Sequence, residues 1–200
     1  MNKGNKDFQY SDLPEPHRAR TKQILAKYPE VRKLITKNPA SFLLIIFIVG
    51  LQLTVAFLLR EQAWWQVLIA AFLVGAFANH ALYVLIHEAA HNLIFKRRGL
   101  NFIAGIIADI QNVVPGSVSF RTYHLKHHSF QGNYYLDADL PYNWEAKLFG
   151  HSVIGKMLWE LFFPFLQELR PLRLKGIEFI NMCKIISCLV IFSSDVLIIY

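Results

Sequence analysis

The sequence predicts an all-α protein integral to a membrane: a two-span hairpin, cytoplasmic helices carrying histidines, and a further C-terminal span. Three observations predict it. Of the 200 residues, 54% are hydrophobic. Two apolar runs are long and nearly free of charge, and the basic residues gather on one side of them. The first run, "ASFLLIIFIVGLQLTVAFLL", occupies 40–59 with no charged residue. Twenty helical residues rise about 30 Å, the hydrocarbon thickness of a bilayer. After "REQA" comes "WWQVLIAAFLVGAFANHALYVLI", starting at Trp64. Runs this long and this close exceed what a soluble core helix requires, so spans are expected at about 40–59 and 64–91.

Each remaining element follows from its charges and breakers. Residues 1–39 carry nine Lys/Arg against four Asp/Glu, whereas the turn at 60–63 carries only Arg60 and Glu61. "FKRR" (95–98) lies just past the second span. The positive-inside rule then places the N-terminus and residues from 92 onward in the cytoplasm. The membrane is that of the endoplasmic reticulum in a eukaryote or the inner membrane in a bacterium. The formal charge of +7 is mainly a topology signal, with some attraction to anionic headgroups. Nucleic-acid binding is the weaker reading and none is expected, because the basic residues flank spans and form no separate domain. Trp64 and Trp65 suit an interfacial aromatic belt. No apolar core of a signal peptide precedes residue 40, and Asn2 excludes myristoylation.

Pro14 and Pro16 keep the start irregular. "RTKQILAKYPEVRKL" (20–34) suggests a short amphipathic helix, interrupted near Pro29 and lying on the membrane surface. The apolar stretch 99–120 is broken by Asp109, Asn112 and Pro115, so a helix lying in or dipping into the membrane is expected there. The last run, 177–200, contains Glu178, Lys184 and Asp195 and makes a weaker span. Its two cysteines, Cys183 and Cys188, are expected to be free thiols acting as small apolar groups. Two segments result: a basic cytoplasmic stretch, 1–39, and a membrane domain, 40–200.

The chemistry lies in the histidines. "HEAAH" (87–91) ends the second span and sets His87 and His91 on one helical face. "HLKHH" places His124, His127 and His128 at i, i+3 and i+4, again on one face. H-E-x-x-H is a zinc-protease signature in which Glu88 would act as general base. The metzincin continuation is absent, since "NLIFKRR" follows His91. A downstream carboxylate ligand would have to be Asp109. An intramembrane zinc protease stays open, but three further histidines exceed the needs of one catalytic zinc. Imidazoles in this number also suit a pair of non-haem irons with open positions for oxygen. Glu88 would then orient a ligating histidine. His80, seven residues before His87, and its neighbour Asn79 are either further members of the site or packed polar groups. Asp137 and Asp139 are either turn residues before Pro141 or hydrogen-bond partners of a ligating histidine, and the latter is favoured. His17 and His151 lack motif partners and are expected to be solvated or interfacial.

The segments "DFQYSD", "ILAKYPEVRKL", "NHALYVLIHEAAHN", "VPGSVSFRTYHLKHH" and "LDADLP" together resemble the sphingolipid Δ4-desaturases (dihydroceramide desaturases) of the membrane fatty acyl desaturase family. The resemblance runs from about Asp7 into the last apolar run. It implies removal of two hydrogens from C4 and C5 of the sphinganine part of dihydroceramide, or hydroxylation at C4. Molecular oxygen is reduced with electrons from cytochrome b5 and its reductase. It implies two non-haem iron ions, with His87, His91, His124, His127 and His128 as ligands. The 99–120 helix is a candidate lining for an acyl tunnel. Another di-iron lipid desaturase is the nearest alternative, and a non-catalytic membrane scaffold a more distant one. The family carries a third H-x2-H-H box, and no histidine follows His151 here. The chain is therefore expected to be C-terminally truncated.

Five imidazoles do not complete two iron shells that keep positions open for oxygen. Residues 1–200 alone are expected to bind iron weakly and to form no ceramide. Membranes without endogenous desaturase, supplied with NADH, cytochrome b5, its reductase and dihydroceramide, provide the assay. Ceramide above the empty-membrane control, lost on His128→Ala, would overturn this expectation.

Overall fold

The computed structural model describes residues 16–112, 114–150, 152–174 and 180–199. "DFQYSD", Pro14, His151, Glu178 and the start of the last run lie outside the described residues. Nine α-helices occur among the described residues, with no strand: α1 (His17–Lys27), α2 (Ala40–Leu59), α3 (Trp64–Ala70), α4 (Ala76–Ala90), α5 (Arg98–Ala108), α6 (Ser117–Phe130), α7 (Asn143–Phe149), α8 (Val153–Leu169) and α9 (Met182–Ile199). A π-helical turn, Ala71–Gly75, joins α3 to α4, making one continuous helix Trp64–Ala90. The protein is all-α and membrane-integral. Two compact units divide the chain: a hairpin unit (33–122 with 178–200) and a histidine-loop unit (1–32 with 123–177).

In the hairpin unit, α2 and the Trp64–Ala90 helix are long and apolar enough to cross a membrane, yet only 17% and 22% buried. Leu43, Phe47 and Phe72 stand open. A soluble protein would bury such helices; here the bilayer takes the place of a core. Where the two helices meet, Ile45, Ile48 and Val49 of α2 pack on Leu82, Leu85, Ile86 and Ala89 of α4, one helical face against another. Gln52, deep in α2, reaches the Gly75 carbonyl at the π turn (3.5 Å) and the Asn79 side chain (3.4 Å). A π turn displaces a backbone carbonyl from the regular ladder, and in lipid that group needs a donor.

α5 packs against α2 and α4. Small residues allow the close approach: a Cβ placed on Gly105 would lie 3.8 Å from the Cβ atoms of Ala89 and Ser117. The apolar stretch 99–120 is thus a short helix and a turn, and Asp109 is where it breaks. This carboxylate is buried and accepts the backbone N–H groups of Gly116 and Ser117 (2.8 Å each) and Asn112 Nδ2 (2.9 Å). It caps the start of α6, which engages both its oxygens and removes it as a ligand for a zinc site. Asn101, fully buried, does the same for the loop after "HEAAH". Its Oδ1 accepts the N–H groups of Ile94 and Phe95, and its Nδ2 donates to the carbonyls of Phe95 and Arg97. On α9, Ile191 packs with Ile106 and Val118, and Cys183 and Cys188 are free thiols.

In the histidine-loop unit, α1 ends before Pro29, where a 3-10 turn, Pro29–Leu34, takes over. The break falls where the proline puts it, but the amphipathic stripe does not form. The apolar residues Ile24, Leu25 and Ala26 are contiguous instead of spaced by three and four, and α1 is almost wholly exposed.

The centre of this unit is ionic. Glu145 and Arg170 are both buried, with Arg170 Nη2 2.9 Å from Glu145 Oε2 and its Nε 3.3 Å from Oε1. Trp159 Nε1 and the Tyr142 N–H also donate to Glu145, at 3.0 and 2.7 Å, and Arg170 Nη1 donates to the Asp139 carbonyl at 3.0 Å. Burial alone would push the Glu145 carboxyl up. The hydrogen bonds from Arg170, Tyr142 and Trp159, with the charge of Arg170, bring it below its ordinary value instead.

Arg170→Ala leaves a buried carboxylate without its cation and should cost about 3–5 kcal/mol, whereas Glu145→Leu with Arg170→Met should lie much closer to wild type. Because the folded pKa of Glu145 is lowered, its contribution is present above the ordinary glutamate value, about 4.3. It is lost as pH falls through that value and below. Urea unfolding in detergent, followed by tryptophan emission between pH 7 and pH 3, measures both. An Arg170→Ala midpoint equal to wild type would refute the assignment.

Candidate metal centre

The first histidine pair sits at the end of a helix long and apolar enough to cross a membrane. His87 lies in the last turn of α4 and His91 is its C-terminal cap, with ring centroids 4.7 Å apart and both residues half-buried. Asn92 then turns the chain with φ +56°, the left-handed region that asparagine tolerates better than most side chains. The freed carbonyls at this helix end are capped by Arg121. Its Nη1 donates to Ala89 (3.0 Å) and Ala90 (2.6 Å), and its Nη2 to Asn92 Oδ1 (3.1 Å). Burial, then the nearby charge of Arg98, lowers the pKa of Arg121 from its ordinary value. A guanidinium remains charged nonetheless.

Glu88, inside the motif, accepts a 2.9 Å hydrogen bond from Ser41 Oγ near the start of α2. His80 is exposed, and two helical turns, about 10 Å of rise, separate it from His87. Asn79 is turned to Gln52. Neither is brought to the His87–His91 pair.

The second group lies in the histidine-loop unit. His124 and His128 face each other with Nε2 atoms 3.0 Å apart. His127 completes the cluster, its ring centroid 5.4 Å from His128 and 6.1 Å from His124. Its Nδ1 lies 2.8 Å from Asp137 Oδ1 and 3.4 Å from Asp139 Oδ2. Each of these three residues presents a ligand atom, all within 4.8 Å of one another.

The two aspartates differ in kind. Asp137 is 1% exposed, and beside His127 it accepts the N–H groups of Gly132 and Asp139, at 2.9 Å each. Asp139 is 44% exposed at its side chain. Gly132 has φ +83°, a conformation that suits glycine and directs its N–H into the loop. Asp137 is therefore both the residue that closes the turn and the partner of His127. A buried carboxylate facing Nδ1 favours the tautomer with its proton there, leaving the Nε2 lone pair for a metal.

Arg173 holds the same loop from behind. Its Nη2 donates to the carbonyls of Asp137 and Leu140, at 2.8 Å each, and its guanidinium lies over Tyr134 and Tyr142, 4.2 and 4.9 Å from the ring centroids. The sequence reading missed Ser41, Asn101, Arg121, Glu145, Arg170 and Arg173. For Arg121 a signal existed, since it precedes His124 and His128 by three and seven residues and shares their helical face. For the others no local pattern marks the partner.

This donor set is of the kind imidazole-binding metals require: paired nitrogens at helical spacing, one locked by a buried carboxylate. Known proteins point the same way. Residues 62–184 match the fatty acid desaturase family, and residues 4–40 match the sphingolipid Delta4-desaturase family. A sphingolipid delta(4)-desaturase DES1-like protein of Oryza sativa subsp. japonica is 42% identical over 84% of this chain and 51% of its own length. The sphingolipid delta(4)-desaturase of Candida albicans is 42% identical over 86% of the chain and 47% of its own length. That of Drosophila melanogaster is 38% identical over 83% and 52%. The chain thus spans about half the length of the curated relatives it matches. No solved structure matches it. With more than half of its residues matched by the family model, the chain belongs to the fatty acid desaturase family.

Proposed function

We propose that this chain serves the O2-dependent Δ4 desaturation of dihydroceramide, with His87, His91, His124, His127 and His128 as ligands of two non-haem irons. The observation that carries the reading is the second cluster: three imidazoles on one helical face, one locked by a buried aspartate. A sphingoid-base substrate is supported by residues 4–40, which match the sphingolipid Delta4-desaturase family. The relative from Caenorhabditis elegans is named a putative sphingolipid delta(4)-desaturase/C4-monooxygenase, so C4 hydroxylation is the neighbouring outcome.

When bound, the irons supply the oxidising power that no side chain has, since an unactivated C–H bond does not yield to acid–base chemistry. The residues of the chain do the rest. Asp137 keeps the Nδ1 proton of His127 and fixes the ring. Ser41 holds the Glu88 carboxylate at the end of α4. The exposed apolar faces of α2 and of Trp64–Ala90 support a position in the membrane, where a lipid substrate is dissolved. Residues 1–39 form a basic cytoplasmic segment and residues 40–200 the membrane domain. The N-terminus and the histidines face the cytoplasm, in the endoplasmic reticulum or a bacterial inner membrane, and α9 forms a third span. Electrons come from cytochrome b5 and its reductase.

Metal analysis of the purified chain tests the assignment. Iron added to the chain is expected to bind, at the weak affinity that five imidazoles allow, and binding should be lost on His87→Ala and on His124→Ala. Stoichiometric zinc untouched by His124→Ala would instead identify a zinc hydrolase. Asp137→Asn keeps the shape of the loop but weakens the hold on His127, and should reduce iron affinity about 10–100-fold. Glu88→Gln should weaken it by a comparable factor, whereas it would abolish a zinc protease outright.

A further inference from the structure

The helix that follows the histidine loop carries a face left bare among the described residues. At 100° per residue α8 divides into three sectors. Gly155, Trp159, Phe163 and Leu166 turn inward, toward Glu145 and Arg170, and are buried or half-buried. Lys156, Glu160 and Gln167 form a narrow polar strip beside them. The remaining arc, roughly half the circumference, is apolar except for Glu168, in the last turn. Val153, Ile154, Met157, Leu161 and Phe165 are 66–74% exposed there. Leu43, Phe47 and Phe72, on the membrane-crossing helices of this same chain, are 66–73% exposed.

We propose that α8 lies in the plane of the membrane, with this arc immersed at the boundary between headgroups and acyl chains. An apolar surface this broad marks a membrane or protein contact. The bilayer is favoured because the arc is aliphatic and phenyl over nearly its whole extent, with Glu168 alone near its C-terminal end. Glu168 apart, it has none of the hydrogen-bonding groups that line a protein–protein rim. The chain's own spans, moreover, keep it at a bilayer. Crossing is disfavoured. Seventeen residues rise only about 25 Å, and Glu160 falls at the middle of the helix, where a charge in hydrocarbon is costly. In the plane, Lys156 and Glu160 reach the headgroups while the arc faces the acyl chains.

The placement has a consequence within the same unit. Tyr142 Oη donates to the Leu169 carbonyl (3.1 Å), and Arg170 Nη1 to that of Asp139 (3.0 Å). The end of α8 therefore grips the loop that holds Asp137 against His127. An immersed α8 keeps this loop at the lipid surface. The inference rests on the bare arc and holds whichever metal the histidines take.

Spin labels measure the depth. Single cysteines at Ile154, Met157, Leu161 and Phe165, and at Lys156 and Glu160, are introduced with Cys183 and Cys188 replaced by serine. The full chain is reconstituted in phosphatidylcholine–phosphatidylserine vesicles. Power saturation then compares collisions with oxygen, which partitions into lipid, and with a nickel chelate, which stays in water. The four apolar sites should favour oxygen at one shared shallow depth, and the two polar sites should favour nickel. Depth changing steadily from 154 to 165 would mean a crossing helix and overturn the proposal. Low accessibility to both agents would mean that protein covers the arc, and strong nickel accessibility that water does; either overturns it too.

Discussion

The carbonyls of Ala89 and Ala90 are the point on which the first histidine pair depends. A helix end leaves its last carbonyls without intrahelical donors, and unmet polar groups are expensive where they are buried. Arg121 meets them with a single guanidinium that also takes Asn92 Oδ1. The turn that ends α4 after His87 and His91 is thereby determined by a residue thirty positions away. Asn101 satisfies the loop that follows, and Asp109 the start of the helix that bears Arg121 itself. Three polar side chains, two of them fully buried, do for this region what regular hydrogen bonding does within a span.

The histidine-loop unit answers the same constraint with charge. Its apolar side chains face largely outward, so its interior is built from Glu145, Arg170, Trp159 and the backbone of the 131–142 loop. A buried ion pair adds little net stability but is specific in geometry. Here that geometry passes directly to the chemistry. Arg170 and Arg173 hold the carbonyls of Asp139, Asp137 and Leu140, and Asp137 holds His127. The His127 ring is thus set by three successive hydrogen-bonded contacts.

In the hairpin unit two helices are long and apolar enough to cross a membrane, and His87 and His91 stand at the end of the second; in the histidine-loop unit His127 stands beside the loop that carries Asp137. Regular structure makes up the long apolar helices, and irregular backbone occurs where side chains satisfy it.

Much of this was legible in the sequence. Span positions follow from length and composition, because a bilayer sets the number of apolar residues a helix needs. The pairing of His87 with His91, and of His124 with His127 and His128, follows from 3.6 residues per turn, a local property. What local pattern could not decide was which of two aspartates holds His127. Asp137 and Asp139 are near-equivalent in "LDADLP". Only the folded loop, with Gly132 at positive φ and Arg173 behind, buries one and exposes the other. The same holds for Asp109, which reads as a candidate ligand and serves as a helix cap, and for α1, whose expected stripe does not form. The sequence alone determined the two long apolar helices and which histidines share a helical face, because span length and periodicity are properties of short segments. The tertiary structure decided the partners, because a hydrogen bond between residues ten to forty-seven positions apart exists only once the intervening chain has closed.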